Sequence, residues 1–393
     1  MSRSHNPKLS VGFFTEVYRP VVNGVVESVD TLAEGLRERG HSVYCFAPQM
    51  PGFDADERAV FRMPSLPLPT NTPYRLTLPL VSRRNVNNVI KRLSIVHVHS
   101  MFVTGWTGLR YARRYGMPVV YTYHTQLEAY THYVPFEPHA TRFAALQLTR
   151  TFGNLVDAVI VPTPAMATHL RDIGVEARIE IVPSGIDVER FGAGRRDDAL
   201  RARVGARPGD RLLLFVSRLA REKNVELVLR ALAETSDPKL KLVIAGDGPA
   251  REELETLADQ LGVAARTRFL GAVAREQLPD LYASADAFVF PSTTETQGLV
   301  QAEALAAGAL VISADTPSNR EVLGNAGRIV APTVAAFAKA MREAPAAPVE
   351  AASRHARTAA ARFAVTYQVD RILDVYGSLL DPEPSGRRSP QTA

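Results

Sequence analysis

Short apolar runs alternate with segments of helical period along most of the chain. LSVGFFT is followed by an apolar stripe over 25–39, then VYCFAP, IVHVH, a helix over 102–115, PVVYTY, a helix over 139–155, and AVIVP. Runs that are apolar at consecutive positions suit strands covered on both faces, so the rhythm predicts an α/β, doubly wound parallel sheet. In the first helix Val25, Val29, Leu32 and Leu36 fall on one face, with Gly24 opening it and Gly40 closing it.

The rhythm breaks near residue 190, where VPSGIDVERFGAGRRDDALRARVGARPGD carries Gly, Asp and Arg but no long apolar run. It resumes with RLLLFVS, a helix from 224, KLVIAG, a helix from 250, TRFLGAV, a helix from 275, DAFVFP, a helix from 298, ALVIS and GRIVAP. Two Rossmann-like domains are therefore expected, 1–190 and 191–365, in keeping with 393 residues, more than one core usually organises. A further amphipathic helix is expected over 366–382, and 383–393 reads as a disordered tail. In open α/β sheets ligands bind beyond the carboxyl ends of the strands. Candidate chemistry is accordingly sought in loops that follow strands, facing a cleft between two lobes.

Composition narrows the class. Apolar residues make up 46% and charged residues 22%, as in an ordinary globular protein. No apolar run reaches the roughly 18 residues that cross a bilayer, and MSRSHNPKLSVGFF lacks the pattern of a secretory leader. A cytoplasmic location is expected. Cys45 is the only cysteine and reads as a core residue, so an intrachain disulfide and a cysteine metal cage are excluded. The net charge of +5 is modest but uneven: residues 60–150 hold eleven Lys or Arg against Glu128 and Glu137.

After DAFVFP come Ser292, Thr293, Thr294, Glu295, Thr296, Gln297 and Gly298, then a helical run closed by Gly308. The free N–H groups of such a helix start suit a phosphate. Glu295 and Glu303, eight positions apart, could accept from the hydroxyls of a sugar or ribose. Alone, they read more readily as a helix cap and a solvated helix residue. After LLLFVS, Arg218 and Lys223 lie five residues apart and could bracket a diphosphate. In the other lobe, Gly24 follows the strand holding Phe13 and Phe14 and allows close backbone approach. His124 follows PVVYTY at a strand's carboxyl end. His97 and His99 share one strand face with no carboxylate nearby, so core histidines are favoured over metal ligands. GDGP at 246–249 lacks the third glycine of a dinucleotide fingerprint.

PSTTETQGLVQAEALAAGALVI, with its Glu-x7-Glu spacing, resembles the nucleotide-sugar motif of retaining glycosyltransferases of family 4, which have the GT-B fold. SRLAREKN resembles that family's GRL…EKG segment, and PVVNGV its glycine-containing loop, with Asn23 in place of one glycine. The resemblance spans about residues 9–380 and implies that the C-terminal helix returns to the first domain. It implies donor-binding roles for Gly24, Arg218, Lys223, Val273, Glu295, Gln297, Gly298, Leu299, Val300 and Glu303. His124, Glu295, Arg218 and Lys223 would act in catalysis, with no essential metal or other cofactor. YHTQLEAYTHYVP and Gln297, where many relatives have Phe, look most like the branch that makes membrane glycolipids, typified by diacylglycerol glucosyltransferases and neighbouring lipid mannosyltransferases. A nucleotide sugar such as UDP-glucose or GDP-mannose is the expected donor, with a lipid or glycan acceptor and no nucleic-acid partner. Arg83, Arg84, Lys91 and Arg92, with Arg110, Arg113 and Arg114, could meet an anionic membrane surface; they read equally as a solvated face. A sugar-nucleotide epimerase of the same fold and an inactive binding protein remain the alternatives from other classes.

Overall fold

Strand runs of Val, Ile and Phe buried on both faces force helices onto both sides of each sheet. The structure, a computed structural model, describes residues 8–53, 59–67, 74–79, 84–131, 137–347 and 349–381. The expected tail, Arg83, and the side chain of Arg84 lie outside the described residues.

The first lobe runs β1 (Ser10–Phe14), α1 (Gly24–Glu38), β2 (Ser42–Pro48), β3 (Val60–Met63), β4 (Ser65–Pro67), β5 (Arg75–Thr77) and α2 (Arg84–Ile90). It continues with β6 (Ile95–Val98), α3 (Val103–Tyr115), β7 (Val119–Thr122), α4 (Pro138–Gly153), β8 (Ala158–Val161), α5 (Pro164–Asp172) and β9 (Arg178–Ile181). The second lobe runs α6 (Val188–Gly192), α7 (Asp198–Arg203), β10 (Arg211–Val216), α8 (Val225–Thr235), β11 (Leu240–Ala245), α9 (Arg251–Gln260), β12 (Thr267–Gly271) and α10 (Leu278–Ser284). Then follow β13 (Ala287–Phe290), α11 (Leu299–Ala306), β14 (Val311–Ala314), α12 (Pro317–Leu323), β15 (Arg328–Val330), α13 (Val334–Arg342), α14 (Glu350–Ala360) and α15 (Val365–Leu380).

Two parallel sheets result, in the orders β3-β2-β1-β6-β7-β8-β9 and β12-β11-β10-β13-β14-β15. β4 and β5 pair separately as an antiparallel ribbon. Strand order reverses between β1 and β6 in one sheet and between β10 and β13 in the other. These are the switch points where a doubly wound fold opens a ligand crevice. Among the described residues no helix is long and apolar enough to cross a membrane.

The chain crosses between the lobes twice, and the two crossings pair. Ile186 N donates to Phe363 O at 2.7 Å and Val365 N to Ile186 O at 3.2 Å. Beyond the second crossing α15 lies on the first lobe: Val369, Ile372, Val375 and Tyr376 join Val29, Leu32 and Leu36 of α1 in one core. Gly35 permits this approach, since a Cβ there would stand 2.6 Å from Val369 Cγ2. The polar stretch near residue 190 is more ordered than its composition predicts. It forms α6 and α7, with the Phe191 side chain fully buried, and buried Asp286 accepts from the Arg201 guanidinium at 3.1 Å and from Leu212 N at 2.7 Å.

Because Ile372 is 1% exposed within the first-lobe core, Ile372→Ala is expected to destabilise the protein by about 2–5 kcal/mol. Urea unfolding of wild type and variant measures this.

Candidate functional site

The loop after β10 and the loop after β13 meet at the switch point of the second sheet. Lys223 Nζ donates to Glu295 Oε1 at 2.5 Å, and Ser292 Oγ donates to the same oxygen at 2.8 Å. Glu295 Oε2 has no hydrogen-bond partner among the described residues. Arg218 Nη2 donates to buried Glu222 Oε1 at 2.5 Å. Each of the two cations thus already holds a carboxylate, Arg218 that of Glu222 and Lys223 that of Glu295.

Gly298 stands at φ 77°, where its absent side chain matters: a Cβ would come within 2.7 Å of Gln301 Nε2. That amide belongs to a buried network, donating to Asn319 Oδ1 at 2.9 Å, while Asn319 Nδ2 donates to Ser292 O at 3.1 Å. No side chain caps the first turn of α11, so the main-chain N–H groups around half-buried Leu299 and Val300 lack that partner. Glu303 lies one turn further in, 5% exposed. Its Oε2 accepts from Tyr282 Oη at 2.9 Å, and Arg275 Nη2 is 4.0 Å from its Oε1. Burial pushes the Glu303 carboxyl above the usual range, while the Arg275 charge and the Tyr282 hydrogen bond pull it back. Val273 is half-buried against the second-lobe core, two residues before Arg275.

Gln297 departs from the expected donor-binding role. Its Oε1 accepts from Ser184 N at 2.7 Å and its Nε2 donates to Ser184 O at 3.0 Å, so the amide is engaged by main chain at the lobe crossing. Gly24 also differs from a glycine demanded by the protein's own packing: a Cβ there would meet Leu299 Cδ1 at an ordinary 3.9 Å. Asn23, in the place of a second glycine, caps α1 by accepting from Val26 N at 3.0 Å.

His124 sits at the lobe boundary. Its carbonyl accepts from Thr296 Oγ1 at 3.0 Å, and Thr163 Oγ1 in turn donates to Thr296 O at 3.0 Å. Its Nε2 lies 3.0 Å from His99 Nδ1. His97 has both ring nitrogens engaged, 2.6 Å from Tyr376 Oη and 2.6 Å from Thr122 Oγ1. Burial pushes His97 down to about 3 and His124 down to about 4, and His99, between them, well below the ordinary range.

Two residues escaped sequence reasoning, Arg275 at this boundary and Glu16 within the first lobe. Arg275 pairs with Glu27 of α1, crossing from one lobe to the other, and faces Glu303. Its signal was available, since it follows β12 as Lys223 follows β10. Glu16, after β1, spans two elements: its carboxylate accepts from Thr77 N at 2.6 Å and from Thr104 N at 2.9 Å.

Of the basic face, Lys91, Arg92, Arg110, Arg113 and Arg114 are exposed. Phe102, Trp106 and Phe143, on or beside α3 and α4, are large apolar side chains also open to solvent.

The neutral histidines make stability fall in acid. Below pH about 6.5 an unfolded chain protonates His97, whereas the folded protein does not until about pH 3, so unfolding takes up protons. Stability is expected to drop by up to about 1.4 kcal/mol per pH unit for this residue below 6.5. His97→Gln should flatten the fall relative to wild type in urea titrations at pH 7.5, 6.5 and 5.5.

The pattern that defines "Glycosyltransferase Family 4" matches residues 22–190, and "Glycosyl transferases group 1" matches residues 196–362. Over 320 residues the chain is 33% identical to an alpha-monoglucosyldiacylglycerol synthase of Streptococcus pneumoniae, covering 79% of this chain and 72% of that protein. Over 321 residues it is 32% identical to a GDP-mannose-dependent alpha-mannosyltransferase of Mycobacterium tuberculosis, covering 80% of this chain and 81% of the other. The solved structure of sucrose-phosphate synthase from Thermosynechococcus elongatus superposes with a TM-score of 0.77 at 21% identity, covering 95% of this chain and 99% of that one, a likeness of fold. The chain is a glycosyltransferase, with the GT-B fold, and belongs to glycosyltransferase family 4.

Proposed function

We propose that this protein transfers a hexose, glucose by preference, from a nucleotide-sugar donor to a lipid acceptor such as diacylglycerol, with retention of anomeric configuration. The observation that carries the reading is the pair of carboxylates flanking the uncapped start of α11, Glu295 fixed by Lys223 and Glu303 fixed by Tyr282. A carboxylate whose one oxygen is anchored offers the other in a set direction, which suits the hydroxyl pair of a ribose or hexose. Between them, main-chain N–H groups at a helix start suit a diphosphate.

In this reading the bond from the anomeric carbon to the diphosphate breaks as the acceptor oxygen bonds to the same face of that carbon. The acceptor proton passes to a diphosphate oxygen. Arg218 and Lys223 neutralise the charge that develops on the departing group, the task a metal performs in other designs. His124 faces the hexose and Val273 lies near the base. The similarity to a glucosyldiacylglycerol synthase favours glucose and diacylglycerol. The similarity to a GDP-mannose-dependent enzyme supports the second reading, mannosyl transfer to a lipid acceptor. Exposed Lys91 and Arg92 would draw the first lobe to anionic lipid at the cytosolic membrane face, each contributing about 1 kcal/mol near the surface.

Incubating the enzyme with UDP- and GDP-hexoses and diacylglycerol, and reading the product anomer by proton NMR, tests the reaction. UDP-glucose should give an α-glucosyl lipid. Lys223→Ala and Glu303→Gln should each lower kcat/KM by on the order of 10²–10³ with far-UV circular dichroism unchanged. Near-normal turnover in both variants refutes the site, and an epimer formed from donor alone replaces transfer with epimerisation. In flotation assays the protein should rise with anionic liposomes and stay behind with zwitterionic ones; equal binding to both removes the basic face from the reading.

A further inference from the structure

We propose that His99 is a positioning residue that fixes His124 as the Nδ1–H tautomer, so that His124 presents a hydrogen-bond donor to the ligand in the cleft. The assignment to a sugar ligand rests on the proposed function; the tautomer itself rests on geometry.

His97 ends within β6 and His99 follows two residues on, so both side chains leave the same face of the strand. Their rings stack at 4.2 Å between centroids, and His99 stacks on His124 at 5.3 Å, with Phe13 edge-on to His97 and His99. The setting is apolar and rich in imidazole. No carboxylate hydrogen-bonds to any of the three rings among the described residues. Desolvation keeps all three neutral, with the neighbouring rings adding to it at His97 and His99.

Two neutral imidazoles whose nitrogens stand 3.0 Å apart share one proton between those atoms. Either His99 Nδ1 or His124 Nε2 carries it. The choice is settled at the far side of His99, where Nε2 is buried without a partner among the described residues. If His124 Nε2 were the donor, His99 would carry its own proton on that orphaned nitrogen. A buried N–H with no acceptor is rarer and less tolerable than a buried lone pair with no donor. The proton therefore sits on His99 Nδ1, His124 Nε2 accepts it, and the proton of His124 is left on Nδ1.

That Nδ1–H has no partner among the described residues, while the carbonyl of the same residue is held by Thr296 Oγ1 at 3.0 Å. His124 is thus gripped at its main chain by the loop carrying Glu295 and at its ring by His99, with one N–H left to spend. A neutral N–H matches the oxygen lone pairs of a sugar hydroxyl or phosphoryl group without adding charge.

The test reads the tautomer directly. Two-bond proton–nitrogen spectra of the full-length, ligand-free protein labelled with ring-¹⁵N histidine should show His124, assigned with His124→Gln, protonated at Nδ1 and bare at Nε2. His99→Leu should release this tautomer and lower kcat/KM for the nucleotide sugar about tenfold, the value of one neutral hydrogen bond. His99→Asn, whose amide N–H takes the place of the Nδ1–H, should keep the Nδ1–H form of His124 and recover most of the activity. A wild-type His124 protonated at Nε2 overturns the proposal. So does a His99→Leu protein with an unchanged His124 spectrum and unchanged kcat/KM. Should the leucine variant not fold, the wild-type and His99→Asn spectra still decide. The spectra need no turnover, so a chain inactive with every hexose donor refutes the proposed function and leaves the tautomer to be judged on its own.

Discussion

The side-chain amide of Gln297 satisfies both the N–H and the C=O of Ser184, and the placement of the whole cleft depends on that clasp. Where the chain crosses between the lobes it belongs to neither sheet, yet it is buried, so its main-chain polar groups need partners from elsewhere. Gln297 serves Ser184, Gln368 Oε1 accepts from Gly185 N at 2.9 Å, and the main chain of Phe363 and Val365 serves Ile186. An apolar side chain at 297 would orphan two buried groups at once. The same loop carries Glu295 and Thr296, so the segment clasped at the crossing also holds the seat of His124 through Thr296. Lobe geometry and site geometry are one problem here.

The charges in the cleft are arranged in closed sets rather than as bare poles. Arg218 with Glu222, Lys223 with Glu295, and Arg275 with Glu27 and Glu303 each bring a cation against carboxylate. A partly buried unpaired charge is costly, so an empty cleft in this fold must compensate itself. In the proposed reading an anionic donor would share cations already in place, and the carboxylates would hold those cations for it. Arg275 is distinctive because its partners come from both lobes.

The alternation of apolar runs and helical stripes was enough to read two doubly wound sheets, since strands covered on both faces leave an unbroken apolar signature. Elements without that signature were silent. RIEI of β9 and VFRM of β3 lie at a sheet edge and carry polar residues, and β4 and β5 are three residues each. Helices α5 and α12, of nine and seven residues, are too short for periodicity to stand out. At the site, motif spacing was enough to bring Lys223, Glu295, Gly298 and Glu303 into view as a group. It did not reveal what each touches, because those partners are set by tertiary packing. Gln297 looked like a ligand contact by its place in the motif and is a main-chain clasp. His99 looked like a filler of the core and is the neighbour of His124.

The return of α15 to the first lobe has a consequence for how the chain is made. The first sheet is complete at Ile181, but the core beneath α1 stays open until Val369, Ile372, Val375 and Tyr376 arrive. During synthesis at about 5–20 residues per second, the intervening stretch of roughly 200 residues takes about 10–40 s. Throughout that interval the growing chain presents an unfinished apolar face on its first half while the second half folds. The last helix closes it, so the order in which the ribosome delivers this protein is not the order in which its lobes are finished.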